Sequence, residues 1–85
     1  MKKVLDRNLF TLWSFERYLE MGLYEDDESP GKNVFSSFAE LPEDERLTYE
    51  SETDYYLSMT PEERELGWPI GILERMKKEG VSFPA

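Results

Sequence analysis

The chain has 85 residues, of which 39% are hydrophobic, and it carries a formal net charge of −9. This length suits one domain, and with 12 aromatic residues the composition is too apolar for a disordered chain. Cysteine and histidine are absent, which excludes disulfides, thiolate nucleophiles and the commonest general base.

The first residues do not have the pattern of a targeting sequence. Lys2 and Lys3 are soon followed by Asp6, Arg7 and Asn8, which leave no room for an apolar stretch. We therefore expect neither a signal peptide nor a membrane span, and we expect the protein to act in the cytoplasm.

The negative charge is concentrated in the middle of the chain. Residues 25–65 contain 14 acids and three bases, a net charge of −11, and the other residues together carry +2. Such a field repels nucleic acids and anionic membranes and attracts basic protein surfaces. The sequence therefore argues against direct binding to nucleic acid or membrane and favours a basic protein partner.

The first predicted helix spans Leu5–Tyr24 and is apolar on two sides. One side is a stripe of six residues, Leu5, Leu9, Leu12, Phe15, Leu19 and Leu23. The other is a patch formed by Phe10, Trp13, Met21 and Tyr24. Such a helix should be covered from two directions, which predicts a central position in the fold. Asp6 or Asn8 can serve as its N-cap. We expect the core to contain four of its residues, Leu9, Leu12, Trp13 and Leu19.

An acidic loop is predicted at residues Glu25–Asn33. Four consecutive acids open it, and Pro30 with Gly31 is typical of a turn. The segment departs from a calcium-binding loop, because Pro30 and Val34 stand where oxygen ligands are preferred. We therefore expect no metal site.

Helix-start signals recur after this loop. Val34–Leu41 should form a short helix in which Ser37 and Glu40 have capping-box spacing. Pro42 suits the first position of a new helix. Thr60 and Glu63 also have capping-box spacing, with Pro61 between them.

The segment between residues 46 and 59 allows three interpretations. As one helix it is poorly amphipathic, because acids and apolar residues share the same sides. As a strand it alternates well, with Leu47, Tyr49 and Tyr55 on one face and acids on the other. The third interpretation is a helix that breaks at Ser51. We favour a helix, continuous or broken, because helix-start signals flank the segment.

A final helix should begin at Ile70 or Ile72 and end at Glu79, with Gly80 directly after it. It is expected to bury three apolar residues, Ile72, Leu73 and Met76. Trp68 in the connector before this helix should also be buried. Phe83 can pin the C-terminal tail, residues 81–85, to the core.

These elements predict an all-α fold, with three to five short helices arranged around the N-terminal one. We expect a single domain over residues 1–85, with the acidic loop at 25–33 and the tail at 81–85. The alternative is an α+β fold with a strand or hairpin near residues 47–57.

No motif for catalysis or cofactor binding is present in the sequence. There is no Gly-rich phosphate loop and no serine with a suitable base nearby. Pairs of carboxylates can act as acid and base only in a cleft that separates their pKa values, and a chain of this length has little room for one. We expect a protein that is not an enzyme, with no catalytic residues and no cofactor.

The acids of residues Glu40–Glu65 suggest a more specific role than solubility alone. Six carboxylates between Glu43 and Asp54 would average one per about 3 Å of a helix, close to the ~3.4 Å phosphate spacing of a B-DNA strand. Small acidic phage proteins that occupy the DNA-binding groove of an enzyme are of the same physical type.

We therefore predict a non-enzymatic, phage-encoded inhibitor whose acidic face mimics a nucleic-acid backbone. It would block the basic groove of a restriction, CRISPR, repair or transcription protein. The predicted partner-binding residues are Glu43, Asp44, Tyr49, Glu50, Glu52, Asp54, Tyr56, Glu62 and Glu63. The alternative is a small helical adaptor or subunit that binds a protein through exposed aromatic residues, with the acids serving solubility.

Overall fold

The computed structural model describes residues 3–83, with only the backbone described at positions 30 and 31. This part of the chain forms α1 (Arg7–Glu20), β1 (Glu25–Asp26), β2 (Ser29–Asn33), α2 (Glu43–Leu57), α3 (Pro61–Gly67) and α4 (Ile70–Glu79). The predicted all-α fold is confirmed, since four α-helices make up most of the structure. A strand pair is present, as in the α+β alternative, but it lies at 25–33 and not near 47–57.

The helix α1 is the central element, because it contributes to both apolar clusters of the protein. Its N-cap is Asp6, whose Oδ1 accepts a hydrogen bond of 2.8 Å from the backbone N–H of Leu9. The first cluster contains Leu5, Phe10, Trp13, Trp68, Ile72, Met76 and Val81, with Leu9 partly buried beside it. The second contains Phe15, Leu41 and Tyr49, bordered by Tyr18, Leu19, Tyr24, Phe35 and Phe38.

The predicted burial of Leu12 is wrong, because 41% of this residue is exposed. α2 covers the side of α1 that carries Thr11, and α4 covers the side that carries Trp13. Leu12 lies on a third side that neither helix covers. Trp13 is buried as predicted. The core face of α1 is therefore built mainly from Phe10, Trp13 and Phe15, whereas Leu9 and Leu19 are only partly buried beside them.

The acidic segment forms an antiparallel hairpin in place of the predicted loop. The Oδ1 atom of Asp26 accepts a hydrogen bond of 3.0 Å from the backbone N–H of Glu28. This side chain–backbone bond places the turn at Asp27 and Glu28, before the Pro30–Gly31 pair that was predicted to form it.

The predicted short helix before α2 is reduced to one 3₁₀ turn at Phe38–Glu40. Ser37 is at its N-cap position but makes no side-chain capping bond, so the predicted capping box is not formed. The Glu40 carboxylate instead accepts hydrogen bonds from Ser36, 2.7 Å from its backbone N–H and 3.0 Å from its hydroxyl. These bonds hold the pKa of Glu40 below its ordinary value.

The helix α4 ends as the sequence predicts. Gly80 follows it with a φ of +70°, a left-handed conformation that glycine adopts without strain. The inner side of α4 buries Ile72 and Met76, and Leu73 is partly buried beside them.

The C-terminal tail pairs with the segment before α1. The backbone N–H of Ser82 donates to the carbonyl of Lys3, and the N–H of Leu5 donates to the carbonyl of Ser82, both at 2.9 Å. The ring of Phe83 lies 5.2 Å from that of Trp68, which is buried as predicted. The last two residues of the predicted tail, 84 and 85, lie outside the described residues.

Candidate protein-binding face

The most acidic element of the structure is α2, a continuous helix of 15 residues. The predicted helix is confirmed over the segment for which a strand was the alternative. Three acids, Glu43, Asp44 and Glu45, occupy its first turn, where they interact favourably with the positive end of the helix dipole. The helix contains three more acids and a single base, Arg46, which is half-buried.

The inner side of α2 is formed by Tyr49, Thr53 and Tyr56, at positions i, i+4 and i+7. The ring of Tyr49 lies 6.1 Å from that of Phe15. The hydroxyl of Thr53 donates to the carbonyl of Tyr49 at 2.9 Å, so the Thr11 hydroxyl, 2.7 Å away, donates to Thr53. Contacts with α1 therefore fix which side of α2 faces solvent.

Two rows of side chains make up the solvent side of α2, which we call the α2 outer face. Each row has the spacing i, i+4, i+7, i+11 and spans about 60° at 100° per residue. The first row contains Glu43, Leu47, Glu50 and Asp54, and the second contains Asp44, Thr48, Ser51 and Tyr55. All eight residues are exposed except Glu50, which is half-buried. The face therefore carries four acids and no base.

One of these acids is already paired within the protein. Asp54 receives two hydrogen bonds from the Arg7 guanidinium, 2.7 Å from Nε to Oδ1 and 3.2 Å from Nη2 to Oδ2. These bonds hold the pKa of Asp54 below its ordinary value. Within residues 3–83, Asp54 is the one acid of α2 that has an ion-pair partner. Glu43, Asp44 and Glu50 are therefore better placed than Asp54 to meet an external cation.

Both tyrosines that were predicted to bind a partner lie on the inner side of α2. Tyr49 is buried, and its hydroxyl lies 2.8 Å from that of Tyr24. Tyr56 is partly buried, with its ring stacked 5.6 Å from that of Phe10. Neither tyrosine therefore lies on the solvent side of α2, because each ring is packed in an apolar cluster.

The remaining predicted residues are divided between two other places. Glu52 is half-buried, and its Oε1 accepts a bond of 3.4 Å from the Tyr18 hydroxyl. Glu63 completes the predicted capping box of α3, since its Oε1 accepts from the backbone N–H of Thr60 at 2.9 Å. That bond lowers the pKa of Glu63. Glu62 is exposed on α3.

Two residues of the α2 outer face were missed, Leu47 and Tyr55. They are 52% and 62% exposed, and both lie among the acids. A signal for Tyr55 was present in the sequence. Once α2 is a helix, Tyr49 and Tyr56 share one side with Thr53, and Tyr55 must then point away from them.

The remaining described residues offer little for other kinds of chemistry. Within residues 3–83, no cluster of three or more carboxylates could hold a metal ion. No helix in the same range has both the length and the apolar character that crossing a membrane requires.

No protein family model matches the chain, and comparisons with curated proteins and with solved structures also give no match.

Proposed function

We propose that the protein is a non-enzymatic inhibitor encoded by a bacteriophage. In this proposal the α2 outer face imitates the charge of a nucleic-acid backbone and blocks the basic groove of a protein that handles DNA or RNA. Restriction, CRISPR, repair and transcription proteins are the target classes. The protein would meet them in the cytoplasm.

The observation that supports this proposal most strongly is the sign of the charge on the α2 outer face. None of its eight residues is basic, Arg7 of α1 pairs with Asp54, and the other three acids have no ion-pair partner within residues 3–83. A surface that served solubility alone would be expected to mix both signs. Within residues 25–65 one sign dominates, since seven of the ten bases of the chain lie outside this segment.

The mimicry is one of charge and not of phosphate spacing. Along the first row, Glu43, Glu50 and Asp54 follow one another at about 10 Å and 6 Å, given a rise of 1.5 Å per residue. Phosphates of one B-DNA strand are about 3.4 Å apart along the axis. The attraction would therefore come from the summed field of the face, with each exposed ion pair contributing about 0.2–1 kcal/mol.

Leu47 and Tyr55 would supply the apolar part of the contact. Protein interfaces concentrate their binding energy in a few central residues, among which tyrosine is enriched, and surround them with a polar rim. On the α2 outer face Leu47 lies between Glu43 and Glu50, and Tyr55 directly follows Asp54 in sequence. This arrangement suits a partner whose basic residues surround a small apolar surface.

The proposal can be tested by affinity capture from the lysate of the bacterial host, followed by competition. A target held through its nucleic-acid groove should elute at high salt, and duplex DNA should displace it at constant salt. A captured protein that stays bound in an excess of duplex DNA would show that the nucleic-acid groove is not the contact.

A second candidate function is supported by a different surface. Leu66 and Ile70, at the junction of α3 and α4, are 93% and 72% exposed. Such residues suit a helical adaptor or subunit that binds a protein through apolar contacts, with the acids serving solubility. Binding of this kind persists at high salt, so the elution step separates the two functions.

A further inference from the structure

A groove of about 330 Å³ lies beside the α2 outer face, between the end of α1, the chain leading into the hairpin, and α2. Three tyrosines, Tyr18, Tyr24 and Tyr49, and two glutamates, Glu45 and Glu52, line it. We call it the tyrosine groove. Its volume is at the small end of the range for ligand sites, which suits a single long side chain.

The aromatic side of the groove is held in place by hydrogen bonds and ring contacts. The Tyr24 and Tyr49 hydroxyls are 2.8 Å apart, and the Tyr18 hydroxyl donates to Glu52. The rings of Tyr18 and Tyr49 lie 5.5 Å apart. Burial, followed by the nearby charge of Glu52, raises the pKa of Tyr18. The groove therefore presents neutral hydroxyls and ring surfaces at physiological pH.

The acidic side of the groove comes from Glu45 and Glu52, which are seven residues apart on one side of α2. Among the described residues, no lysine or arginine lines the groove. The Oε2 atom of Glu45 has almost no accessible surface and no hydrogen-bond partner within residues 3–83. A buried carboxylate oxygen without a donor is costly, and a rotation of the Glu45 side chain towards an N–H donor in the groove would remove that cost.

The protein already places an arginine against one of these rings. The Arg17 guanidinium carbon lies 5.4 Å from the centre of the Tyr18 ring. Arg17 lines a different groove, between α1 and α4, and leaves the tyrosine groove without a cation of its own. The contact illustrates that the Tyr18 ring can accept a guanidinium.

We propose that the tyrosine groove binds the side chain of an arginine presented by the protein partner. A guanidinium is flat, can stack on tyrosine rings and donates several hydrogen bonds in fixed directions, which a lysine ammonium does not. The carboxylates of Glu45 and Glu52 would accept those bonds. This inference rests on the proposed function, in which the acids of the α2 outer face attract a basic partner through their summed charge. It adds one specific binding site for a side chain of that partner.

The direct test is a titration of the protein with acetyl-arginine amide, followed by NMR of the tyrosine ring protons. The signals of Tyr18 and Tyr24 should shift in a saturable manner. Acetyl-citrulline amide has the same shape without the charge and should bind at least tenfold more weakly. Equal binding of the two compounds, or no saturable shift with either, would overturn the proposal.

Charge-matched variants locate the site. Glu45→Gln/Glu52→Gln should weaken acetyl-arginine amide binding at least fivefold. Glu65→Gln/Glu74→Gln removes the same charge from α3 and α4 and should change it less than twofold. Should the first variant fail to fold, Glu52→Gln alone keeps an acceptor for the Tyr18 hydroxyl and should still weaken binding at least twofold. Equal effects of groove and control variants would overturn the assignment.

These titrations need no protein partner, so their failure is separate from failure of the proposed function. Shifts confined to the tyrosine groove would support the arginine site even if no nucleic-acid-handling partner were captured. A partner that duplex DNA displaces, together with a groove that does not distinguish arginine from citrulline, would leave the proposed function standing and overturn the arginine site.

Discussion

Phe10 of α1 packs against rings from two other parts of the chain, α2 and the connector before α4. It is fully buried, stacks on Tyr56 and meets Trp68 edge to face at 5.0 Å. We expect Phe10→Ala to cost about 3–5 kcal/mol, a large part of the 5–15 kcal/mol that stabilises a typical domain. Leu12→Ala, at an exposed position of the same helix, should cost much less. Urea denaturation of both variants checks this, and equal losses would contradict the position of α1 described above.

The ion pair between Arg7 and Asp54 predicts a pH dependence. Asp54 has a lower pKa in the folded protein than in the unfolded chain. Its contribution to stability is therefore present above the ordinary carboxyl pKa, about 3.9, and is lost as pH falls through the folded-state value.

We expect the difference in melting temperature between the wild-type protein and Asp54→Asn to be largest near neutral pH and to shrink towards pH 2. Thermal melts of both proteins across that range measure it. If the difference in melting temperature is the same at pH 2 and at pH 7, the charge of the Asp54 carboxylate does not stabilise the protein.

Among the helices, α3 depends most on its first turn, because it has seven residues and buries none of them. Thr60 and Glu63 close a complete capping box there. We expect Thr60→Ala to destabilise the protein by about 1 kcal/mol. The pKa of Glu63 should stay below that of a free glutamate in this variant, because its depression comes first from the backbone N–H of residue 60, which alanine also has. NMR titration of the Glu63 carboxyl carbon measures this, and a pKa equal to that of a free glutamate would mean that the backbone bond of the capping box is lost together with the hydroxyl.

Three helix ends could be predicted from the sequence, whereas the Ser37–Glu40 capping box and the predicted bounds of the first helix, Leu5–Tyr24, were wrong. Asp6, the Thr60–Glu63 pair and Gly80 act within one turn of their own helices, so their local pattern is sufficient. The hairpin could not be predicted in this way. Its turn depends on the side chain of Asp26, whereas the sequence offered a stronger turn signal at Pro30 and Gly31.

The candidate site was predictable in its charge but not in its apolar residues. Most sides of α2 carry acids, so an acidic solvent side could be predicted before the orientation of the helix was known. Glu43, Asp44 and Glu50 could therefore be named from the sequence. The choice between Tyr49 and Tyr55 depends on which side α1 covers. The buried contact of Thr11 with Thr53 marks that side. Both residues are polar, so a pattern of apolar residues in the sequence does not include them.

For the whole molecule, the net charge of −9 predicts that the isolated protein does not bind duplex DNA or RNA at physiological salt. The cationic residues of the C-terminal half of α1 and of α4 alternate with acids, as in the pairing of Arg75 with Glu16 and Glu79. A mobility-shift assay at micromolar protein concentration checks this, and a shifted duplex would contradict it.

We propose that the acids of the α2 outer face, and not the net charge in general, bring the protein to its partner. Two variants of equal net charge separate these causes. Glu43→Gln/Asp44→Asn/Glu50→Gln changes the face and leaves the Arg7–Asp54 pair intact. Glu20→Gln/Glu65→Gln/Glu74→Gln removes three exposed acids from the other helices.

The most direct measurement is the association rate constant of each variant with the captured partner across a salt series. Electrostatic steering changes association rates by about 10- to 10³-fold and weakens with salt. We expect the outer-face variant to associate at least about tenfold more slowly than the wild-type protein, with a flatter salt dependence, and the control variant to differ by less than about threefold. If the two variants slow association equally, or if neither changes it, the α2 outer face is not the surface that binds the partner.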